Sequence, residues 1–194
     1  PPYRRSGKYW NLSTERTLIT EAGQGVMVKP WQQPHPPILV TAVLPNSAGL
    51  AAAAARGWHT ISANFLPPRW VATHWTMIEQ GCARAGLAAN RRDWRVCKSI
   101  FVADDDAIAQ RYARDAQGAY GFYYWNLLSK RRARGGADVF KHDPSLADEA
   151  VTVDYLLDTM VICGGVERVV EQLLDFRETI GDFGTLLYAG HDWV

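Results

Sequence analysis

The sequence predicts an α/β protein in which parallel strands alternate with helices. Residues 38–43 form a continuous apolar or β-branched run, which is typical of a strand covered on both faces. A short alanine-rich segment and a second strand-like run, residues 59–65, follow after brief turns, and this order is that of a βαβ unit. Strand-like and helix-like segments continue to alternate, about four times in total, which predicts a parallel sheet.

The helix inside this unit has signals at both ends. Asn46 or Ser47 can cap its first turn, because a short side-chain oxygen can accept a hydrogen bond from a free backbone N–H group. Residues 51–55 are all alanine, which favours a helix that lies close to its neighbours. Gly57 is expected to end the helix in a left-handed conformation.

The middle of the chain predicts a helix over residues 69–85 and a strand over residues 94–103. Apolar residues recur at three- and four-residue steps in the helix, and the strand is rich in β-branched and aromatic residues. The acidic run at residues 104–106 predicts the start of another helix, extending at least to residue 116. A metal site there would need further convergent ligands, so a helix cap is the preferred interpretation.

The last third of the chain predicts a helix over residues 146–157, a short apolar segment at 160–163, and a strand at 183–189. Gly164 and Gly165 open an amphipathic helix that runs to about residue 180. Two glycines can let a phosphate approach the first amides of a helix, but a tight turn explains them equally simply.

The start and the composition of the chain limit its function. Residues 1–33 are expected to be an extended lead-in with a short strand at 26–28, and the absence of an initial methionine suggests a fragment. The net charge of +1 argues against partnership with nucleic acid or with an acidic membrane. Three widely spaced cysteines indicate free thiols in a cytoplasmic protein rather than disulfides or a metal site.

Two architectures fit this pattern. One is a small, open, doubly wound sheet of four or five strands. The other is part of a (β/α)8 barrel, which typically needs ~250 residues, so that the chain would hold only its second half. A half barrel has exposed sheet edges and is not expected to be stable alone.

Several segments together resemble the luciferase-like flavin-dependent monooxygenases. They are, in order along the chain, KPWQQPHPPI, TAVLPNSAGLAAAAARGW, ISANF, DWRVCKSIFVADDDAIA, VICGGVERVVEQLLDFRE and FGTLLYAGHDW. The resemblance implies the C-terminal half of a luciferase-like TIM barrel that is incomplete at both ends. Residues 1–194 would then be a single partial domain, holding strands five to eight with an insertion at about 118–158.

The resemblance also implies an activity. The parent protein would use reduced FMN, supplied by a partner flavin reductase, and O2 to oxygenate a hydrophobic small molecule such as an aldehyde, alkene or terpene. It would be a homo-oligomer, and the fragment alone would be inactive. Alternatives within the same fold are an oxidoreductase that depends on the deazaflavin F420 and a non-catalytic member that only binds flavin.

The family's cofactor contacts map onto eight positions. The FMN phosphate would lie at the turn that follows the first strand, and the flavin ring would lie beside the ends of the first two strands. These positions are Asn46, Ser47 and Ala48 for the phosphate, Thr41, Ala42 and Val43 beside the flavin, and Ala63 and Asn64 near the isoalloxazine ring. Asn64 can equally be a turn residue at a strand end.

The catalytic residues are expected in the missing half, with His191 as a candidate in this chain. His191 follows the last strand, although capping of that strand together with Asp192 explains it as well. His74 is expected to be a packed or surface residue. Tyr123, Tyr124 and Trp125 are the predicted substrate-covering segment, or else core residues. The basic run that follows them, residues 130–134, is interpreted as a solvated face.

Overall fold

The computed structural model describes residues 3–22 and 30–191, and the chain divides into two units, Pro1–Pro37 and Ile38–Val194. The first unit contains an antiparallel hairpin of β1 (Arg4–Ser6) and β2 (Asn11–Ser13), followed by 3-10 turns at Glu15–Thr17 and Thr20–Ala22. The sequence predicted only an extended lead-in here, because every side chain of both strands is exposed and no apolar period exists. The predicted strand at residues 26–28 lies outside the described residues.

The second unit is built on a parallel sheet, as predicted. Its strands are β3 (Leu39–Ala42), β4 (His59–Ser62), β5 (Trp94–Val102), β6 (Val161–Gly164) and β7 (Thr185–Ala189). β3 pairs with β4, and β4 pairs with the first residues of β5. β5 also pairs in parallel with β6 and with β7, so it is the central strand of the sheet.

The described part of the second unit therefore has five parallel strands, the upper end of the four or five predicted for an open sheet and one more than the strands five to eight of a half barrel. β6 is the strand that the sequence did not assign, because residues 160–163 were interpreted only as a short apolar segment. All four of its residues are buried, and it follows directly on the helix Val153–Met160 with no turn residue between them. The sequence therefore carries no boundary signal at this point.

Six α-helices accompany the sheet within residues 38–191. They are α1 (Ala48–Ala54), α2 (Pro68–Arg84), α3 (Asp106–Ala113), α4 (Ala119–Arg132), α5 (Val153–Met160) and α6 (Val166–Ile180). α3 is shorter than predicted because the chain turns at Asp115, whose carbonyl accepts from the Gly118 N–H group. The helix predicted at 146–157 begins only at Val153. Residues 138–140 and 148–150 form short 3-10 turns.

Close packing of α1 on α2 explains the alanine run. A Cβ atom on Gly81 of α2 would lie only 2.2 Å from the carbonyl oxygen of Ala51, so the two helix backbones touch. Gly57 and Gly86 follow the two helices with φ values of 68°, in the left-handed conformation expected for a helix end. The small residues thus allow α1 to lie directly against α2.

The core of the second unit lies where the helices cover the sheet. Its largest fully buried side chains include Trp94, Tyr120, Tyr124 and Phe140. α4 contributes Tyr120, Tyr124 and Leu128, which recur at four-residue steps along one face. Within the described ranges, no helix has the length and apolar character needed to cross a membrane.

Candidate functional site

The carboxyl ends of β3 and β4 lie side by side and bring together most of the predicted flavin neighbours. Thr41 pairs with Ile61 in the sheet, and the Ala63 N–H group donates to the Ala42 carbonyl over 3.0 Å. Thr41 and Val43 are exposed, whereas the Ala42 side chain is only 1% exposed and packs in the core. Of these residues, Thr41 and Val43 offer side chains to a ligand.

Ser99 of β5 is the centre of a buried hydrogen-bonded group at the same edge of the sheet. The Asn64 side-chain amide donates to the Ser99 hydroxyl over 2.8 Å, and the Tyr124 hydroxyl donates to it over 3.0 Å. The Nε2 atom of His191 lies 2.8 Å from the same hydroxyl. We call Ser99, Asn64, Tyr123, Tyr124 and His191 the Ser99 cluster.

These bonds fix the protonation of His191. A serine hydroxyl has one proton to donate and two lone pairs, and Asn64 and Tyr124 occupy both lone pairs. The Ser99 hydroxyl must therefore donate to Nε2 of His191, which makes Nε2 an acceptor. His191 is accordingly a neutral imidazole with its proton on Nδ1.

Aromatic rings hold the His191 imidazole in place. The Tyr123 ring stacks on it, with centroids 4.1 Å apart and planes at 23°, while the Tyr120 ring meets it edge-on at 4.9 Å. The Tyr123 hydroxyl also donates to Asn64 Oδ1 over 2.9 Å. The residues after β4, the helix α4 and His191, two residues beyond β7, are thereby joined in one cluster.

Burial keeps both phenols of the cluster neutral. It raises the pKa of Tyr123 and that of Tyr124 above the ordinary value, and the hydrogen bonds to Asn64 and Ser99 oppose this only in part. Both hydroxyl groups therefore act as hydrogen-bond donors across the physiological pH range. The Ser99 cluster carries no fixed charge, so it suits a neutral ring system or a neutral polar group of a ligand.

A second buried cluster lies between β4, β5 and α2. Ser62 Oγ lies 2.7 Å from Nδ1 of His74 and accepts from the Trp94 indole N–H over 3.0 Å. The Nε2 atom of His74 lies 2.9 Å from the Leu44 carbonyl, which can only accept, so Nε2 carries the proton. Desolvation lowers the pKa of His74. We call Ser62, His74 and Trp94 the Ser62 cluster. Of the two alternatives that the sequence left open for His74, a packed or a surface residue, the structure shows the packed one.

The predicted phosphate turn is anchored to α2 by this cluster and by one further bond. The Asn46 N–H group donates to the Thr73 hydroxyl over 2.9 Å. Asn46 itself is exposed and has a positive φ of 50°, which asparagine adopts more readily than most residues. The position of the turn is therefore set by hydrogen bonds to α2 on both sides of Pro45.

The prediction that a side chain of this turn caps α1 is wrong. Ser47 occupies the N-cap position with extended backbone, but its hydroxyl makes no capping hydrogen bond. The first-turn bond of α1 runs between backbone atoms instead, from the Leu50 N–H group to the Ser47 carbonyl over 3.0 Å. The Ser47 hydroxyl is thus not consumed by the helix, which leaves it able to bind a ligand oxygen.

The predicted substrate-covering residues separate into two groups. They lie in α4, not in a loop, and successive residues of a helix point about 100° apart. Tyr123 and Tyr124 face the Ser99 cluster, and Tyr124 is fully buried. Trp125 is 54% exposed and packs on Phe122, with ring centroids 5.9 Å apart. Trp125 therefore does not join the cluster.

Ser99 is the site residue that sequence reasoning missed. It lies inside the apolar run of β5, where periodicity gave it no special status. One signal was available in the sequence: a serine inside a predicted buried strand needs hydrogen-bond partners, so its position indicates a buried polar contact. Its partners come from positions 64, 124 and 191, which no local pattern connects.

The turn before α6 is filled by a side chain of this chain. The Gly165 N–H group donates to Asp106 Oδ1 over 2.6 Å, and a Cβ atom on Gly164 would approach Asp106 and Arg168 to 2.8 Å. Asp105 caps α3 by accepting from the N–H groups of Ala107 and Ile108, as predicted. The glycine pair thus serves a tight turn, and its first amide is already bonded.

Taken together, the fold and the Ser99 cluster define an α/β protein whose polar site lies at the carboxyl edge of a parallel sheet, which is where such folds bind ligands. The model of the luciferase-like monooxygenase family matches residues 6–182, and the chain belongs to this family.

The chain is also similar in sequence to individual monooxygenases. The chain is 26% identical over 196 residues to 3,6-diketocamphane 1,6-monooxygenase of Pseudomonas putida, a match that covers 99% of this chain and 51% of that protein. It is 29% identical over 124 residues to 4-hydroxyprotoasukamycin monooxygenase of Streptomyces nodosus subsp. asukaensis, covering 64% and 31%. The chain therefore spans about half the length of the first of these relatives and less of the second.

Solved structures extend the comparison to the fold. The oxygenating constituent of 3,6-diketocamphane monooxygenase from Pseudomonas putida, a type II Baeyer–Villiger monooxygenase in complex with FMN, matches with a TM-score of 0.75 at 26% identity, over 99% of this chain and 52% of that one. An F420-dependent secondary alcohol dehydrogenase matches with a TM-score of 0.56 at 16% identity, over 96% and 49%. The second likeness is one of fold alone.

Proposed function

We propose that this protein is a flavin-dependent monooxygenase that uses reduced FMN and O2 to oxygenate a hydrophobic small molecule. The observation that carries the proposal is the match of almost the whole chain to an FMN-bound oxygenating constituent at 26% identity. The relatives named for diketocamphane point to a cyclic terpenoid ketone as the substrate class. In that case the product is a lactone.

The second unit is, in this proposal, part of a (β/α)8 barrel within a single domain. The parallel pairing of all its strands and the helices between them support this assignment. Closure would bring further strands to the edges of the sheet and further side chains to the cofactor. We also propose a flavin reductase as the source of reduced FMN, a homo-oligomeric assembly and a cytoplasmic location.

The residues of this chain fit FMN at two places. The turn of Asn46, Ser47 and Ala48 would hold the phosphate, since the Ser47 hydroxyl is not used in capping α1. Thr41, Val43, Ala63 and Asn64 would lie beside the flavin, with Ala42 contributing through its backbone because its side chain is in the core. Reduced FMN, when bound, supplies the electrons that activate O2 for transfer to the substrate.

The Ser99 cluster would form the wall of the pocket beside the flavin ring. Tyr123 and Tyr124 exclude water from it, because one is half-buried and the other fully buried. His191 is the one imidazole of the cluster, and it is positioned by Ser99 and by the ring of Tyr123. We propose that its imidazole orients the substrate and moves a proton during the reaction. The cluster would then combine two tyrosine side chains that exclude water with one histidine that transfers a proton.

Product analysis with labelled oxygen tests this function. The full-length protein is incubated with FMN, a flavin reductase, NADH and a panel of cyclic ketones, aldehydes and alkenes under 18O2. One oxygen atom enters the product, the other is released as water, and the reduced flavin returns to its oxidised form. We expect a product that contains a single 18O atom.

Two controls complete the test. Reduced F420 replaces the FMN system in one arm, and it should support no oxygenation. Omission of the substrate should leave FMN binding intact, observed as saturable quenching of flavin fluorescence. Failure to bind FMN in either redox state, or oxidation of reduced FMN without any labelled product across the panel, would contradict the proposal.

A further inference from the structure

Lys98 is a buried lysine that takes no part in the Ser99 cluster. It precedes Ser99 on β5, and because successive residues of a strand point to opposite faces, its side chain is directed away from that cluster. It reaches towards α6 instead, where its ammonium group lies 5.1 Å from the centre of the Phe176 ring. The chemistry of Lys98 is therefore separate from that of the proposed flavin site.

Lys98 has no fixed counter-ion, although it is only 3% exposed. Within residues 3–22 and 30–191, no carboxylate lies within 4.0 Å of its Nζ atom, and the ammonium group donates no hydrogen bond. Burial lowers the pKa of His142, and the charge of Lys98 lowers it further, so this neighbour offers no compensating charge. A buried, unpaired charge opposes folding, and such exceptions are typical of functional sites.

Lys141 shows the usual arrangement of a buried lysine. It is 7% exposed, and its Nζ atom lies 2.7 Å from Asp138 and 2.5 Å from Asp148. Hydrogen bonds to these two carboxylates raise its pKa. At Lys98, burial instead lowers the pKa to about 8, and the neighbouring Cys97 opposes this in part. The neutral amine, which is the nucleophilic form, is therefore more populated at Lys98 near pH 7.

The Lys98 side chain lines a cavity of about 220 Å³, which we call the Lys98 cavity. Its inner wall is apolar and includes the buried side chains of Met160 and Phe176. Among the described side chains, the fully enclosed nitrogen and oxygen atoms that lack a hydrogen bond belong to Trp70 and Arg114. The Nζ atom of Lys98 lacks a hydrogen bond but is not one of these, so a small molecule in the cavity can reach it.

The opening of the Lys98 cavity is polar. Asp175 and Thr179 of α6 and Asp158 of α5 line it, and all three are exposed. Asp158 is directed to Arg114, at a distance of 3.4 Å. The cavity thus combines a polar opening and an apolar interior with one amine. This arrangement suits a short aliphatic molecule that carries a carbonyl group.

We propose that Lys98 is a modification site, at which a short aliphatic aldehyde that enters the Lys98 cavity condenses with the amine to form an imine. The amine nitrogen attacks the carbonyl carbon, and the carbon–oxygen bond then breaks. The oxygen leaves as water together with the two hydrogens of the neutral amine, so that a C=N bond replaces the C=O bond without any oxidant or reductant. The imine is less basic than the amine, which relieves the buried site of its unpaired charge.

Reductive trapping followed by peptide mass spectrometry tests this site. The full-length protein is incubated with propanal and sodium cyanoborohydride at pH 7, which converts an imine into a stable propyl-lysine. Each lysine-containing peptide is quantified over time. Lys141 is the buried, ion-paired control. Lys130 is the exposed control, as predicted for the basic run to which it belongs. A parallel series uses pyrenecarbaldehyde, which is too large for the cavity.

We expect propanal to label Lys98 about ten-fold or more faster than Lys141 and Lys130. An amine with a pKa of about 8 is neutral in about a tenth of the molecules at pH 7, against fewer than about a thousandth for a lysine with the ordinary value. Pyrenecarbaldehyde should label Lys130 and leave Lys98 unmodified. Lys98→Met should lose the modified peptide and leave the labelling of the two control lysines unchanged.

Two variants of α6 test whether the aldehyde enters through the opening of the cavity. Thr179→Phe places a ring at the opening, whereas Glu178→Phe adds the same ring at an exposed neighbour that does not line the cavity. The first should slow the labelling of Lys98 by propanal about ten-fold, because a close-packed ring leaves little room for passage. The second should match the wild type, and Lys130 should react equally in both.

Labelling of Lys98 by propanal no faster than that of Lys141 would overturn the proposal. Labelling by pyrenecarbaldehyde at the rate of propanal, or an unchanged rate in Thr179→Phe, would also overturn it, because Lys98 would then be reached by opening of the fold. The site does not depend on flavin chemistry. Failure of the same preparation to bind FMN would contradict the proposed function and leave the labelling result intact.

Discussion

Two serine–histidine contacts with nearly equal oxygen–nitrogen distances involve the neighbouring strands β4 and β5. Ser62 and His74 are 2.7 Å apart, and Ser99 and His191 are 2.8 Å apart. In the Ser62 cluster, the two ring nitrogens of the histidine face a hydroxyl and a main-chain carbonyl, and the ring is buried in the core. In the Ser99 cluster, the histidine is only partly buried and stacks on Tyr123.

The difference follows from the alternation of side chains along β5. Trp94 and Ser99 are an odd number of residues apart, so their side chains point to opposite faces of the sheet. Trp94 packs on Trp75 of α2, with ring centroids 5.8 Å apart, and Ser99 faces α4 and His191. The same combination of residue types, serine with histidine, thus stabilises the core on one face of the sheet and forms a candidate functional site on the other.

Removal of His74 should have the largest effect, and it should act on stability. His74→Ala leaves a cavity in the core and deprives the Ser62 hydroxyl and the Leu44 carbonyl of their partner. We expect a loss of about 3 kcal/mol in the free energy of unfolding, measured by urea denaturation. Thr76→Ala, at an exposed position of the same helix, is the control. A change below 1 kcal/mol, on the order of a single surface contact, would contradict the structural role.

Substitution of His191 should act on activity instead. His191→Gln retains a polar side chain of similar reach but cannot transfer a proton near neutral pH. We expect product formation to fall by about 100-fold, with a loss of stability below about 1 kcal/mol. Turnover with saturating substrate and thermal unfolding of the same preparation check the two parts. Turnover at the wild-type rate by this variant would contradict the proposal that His191 transfers a proton in the reaction.

Lys98 lies on the same strand as Trp94 and Ser99 and is buried there without an ionic partner among the described residues. Burial lowers its pKa to about 8, and its ammonium group lies 5.1 Å from the centre of the Phe176 ring. The unfolded chain therefore binds this proton more strongly, which destabilises the fold fully below about pH 8 and progressively less from there to pH 10.5. Lys98→Met should raise the free energy of unfolding at pH 7 by about 2 kcal/mol.

This gain should depend on pH in a defined direction. As the pH rises from about 8 towards 10.5, the unfolded chain also loses the proton and the wild type approaches the variant in stability. Denaturation of both proteins at pH 7, 9 and 10.5 measures the difference. Lys130→Met, at an exposed lysine, should show no such trend. A constant difference across this range would contradict a buried ammonium group at Lys98.

The smallest effect is expected from the Tyr123 hydroxyl. Tyr123→Phe keeps the ring that stacks on His191 and removes only the bond to Asn64. We expect a loss of stability of about 1 kcal/mol and a decrease of a few-fold in FMN affinity, measured by fluorescence titration. Tyr188→Phe, at an exposed tyrosine, is the control. A loss of FMN affinity of about 100-fold or more would contradict this minor role of the Tyr123 hydroxyl.

Much of the fold could be predicted because its signals are local. The βαβ unit is marked by an apolar run, an alanine segment and Gly57, and the structure has a strand, a helix and a left-handed turn there. The prediction that the first strand is covered on both faces is wrong, because Leu39 of β3 is 45% exposed and Val43, the residue after β3, is 46% exposed. β6 was missed because its four residues continue directly from α5. The end of a helix and the start of a buried strand look alike when both are apolar and no turn residue separates them.

The site was less predictable because its contacts are not local. Ser99 receives its partners from residues 35, 25 and 92 positions away, and only the packed sheet brings them together. The side chain of Asn46 or Ser47 was predicted to cap α1, but a backbone bond closes that turn instead. Tyr123, Tyr124 and Trp125 were grouped by sequence, whereas the helix directs Trp125 away from the cluster that the two tyrosines join.

The most direct measurement is turnover per folded, FMN-loaded molecule for the two matched variants His74→Gln and His191→Gln. Each is assayed at a temperature at which both are folded, and bound FMN is quantified in the same sample. We predict that His74→Gln is less stable yet keeps wild-type turnover, and that His191→Gln is stable yet nearly inactive. The opposite assignment, with turnover lost at His74 and retained at His191, would contradict the division into a structural and a functional cluster.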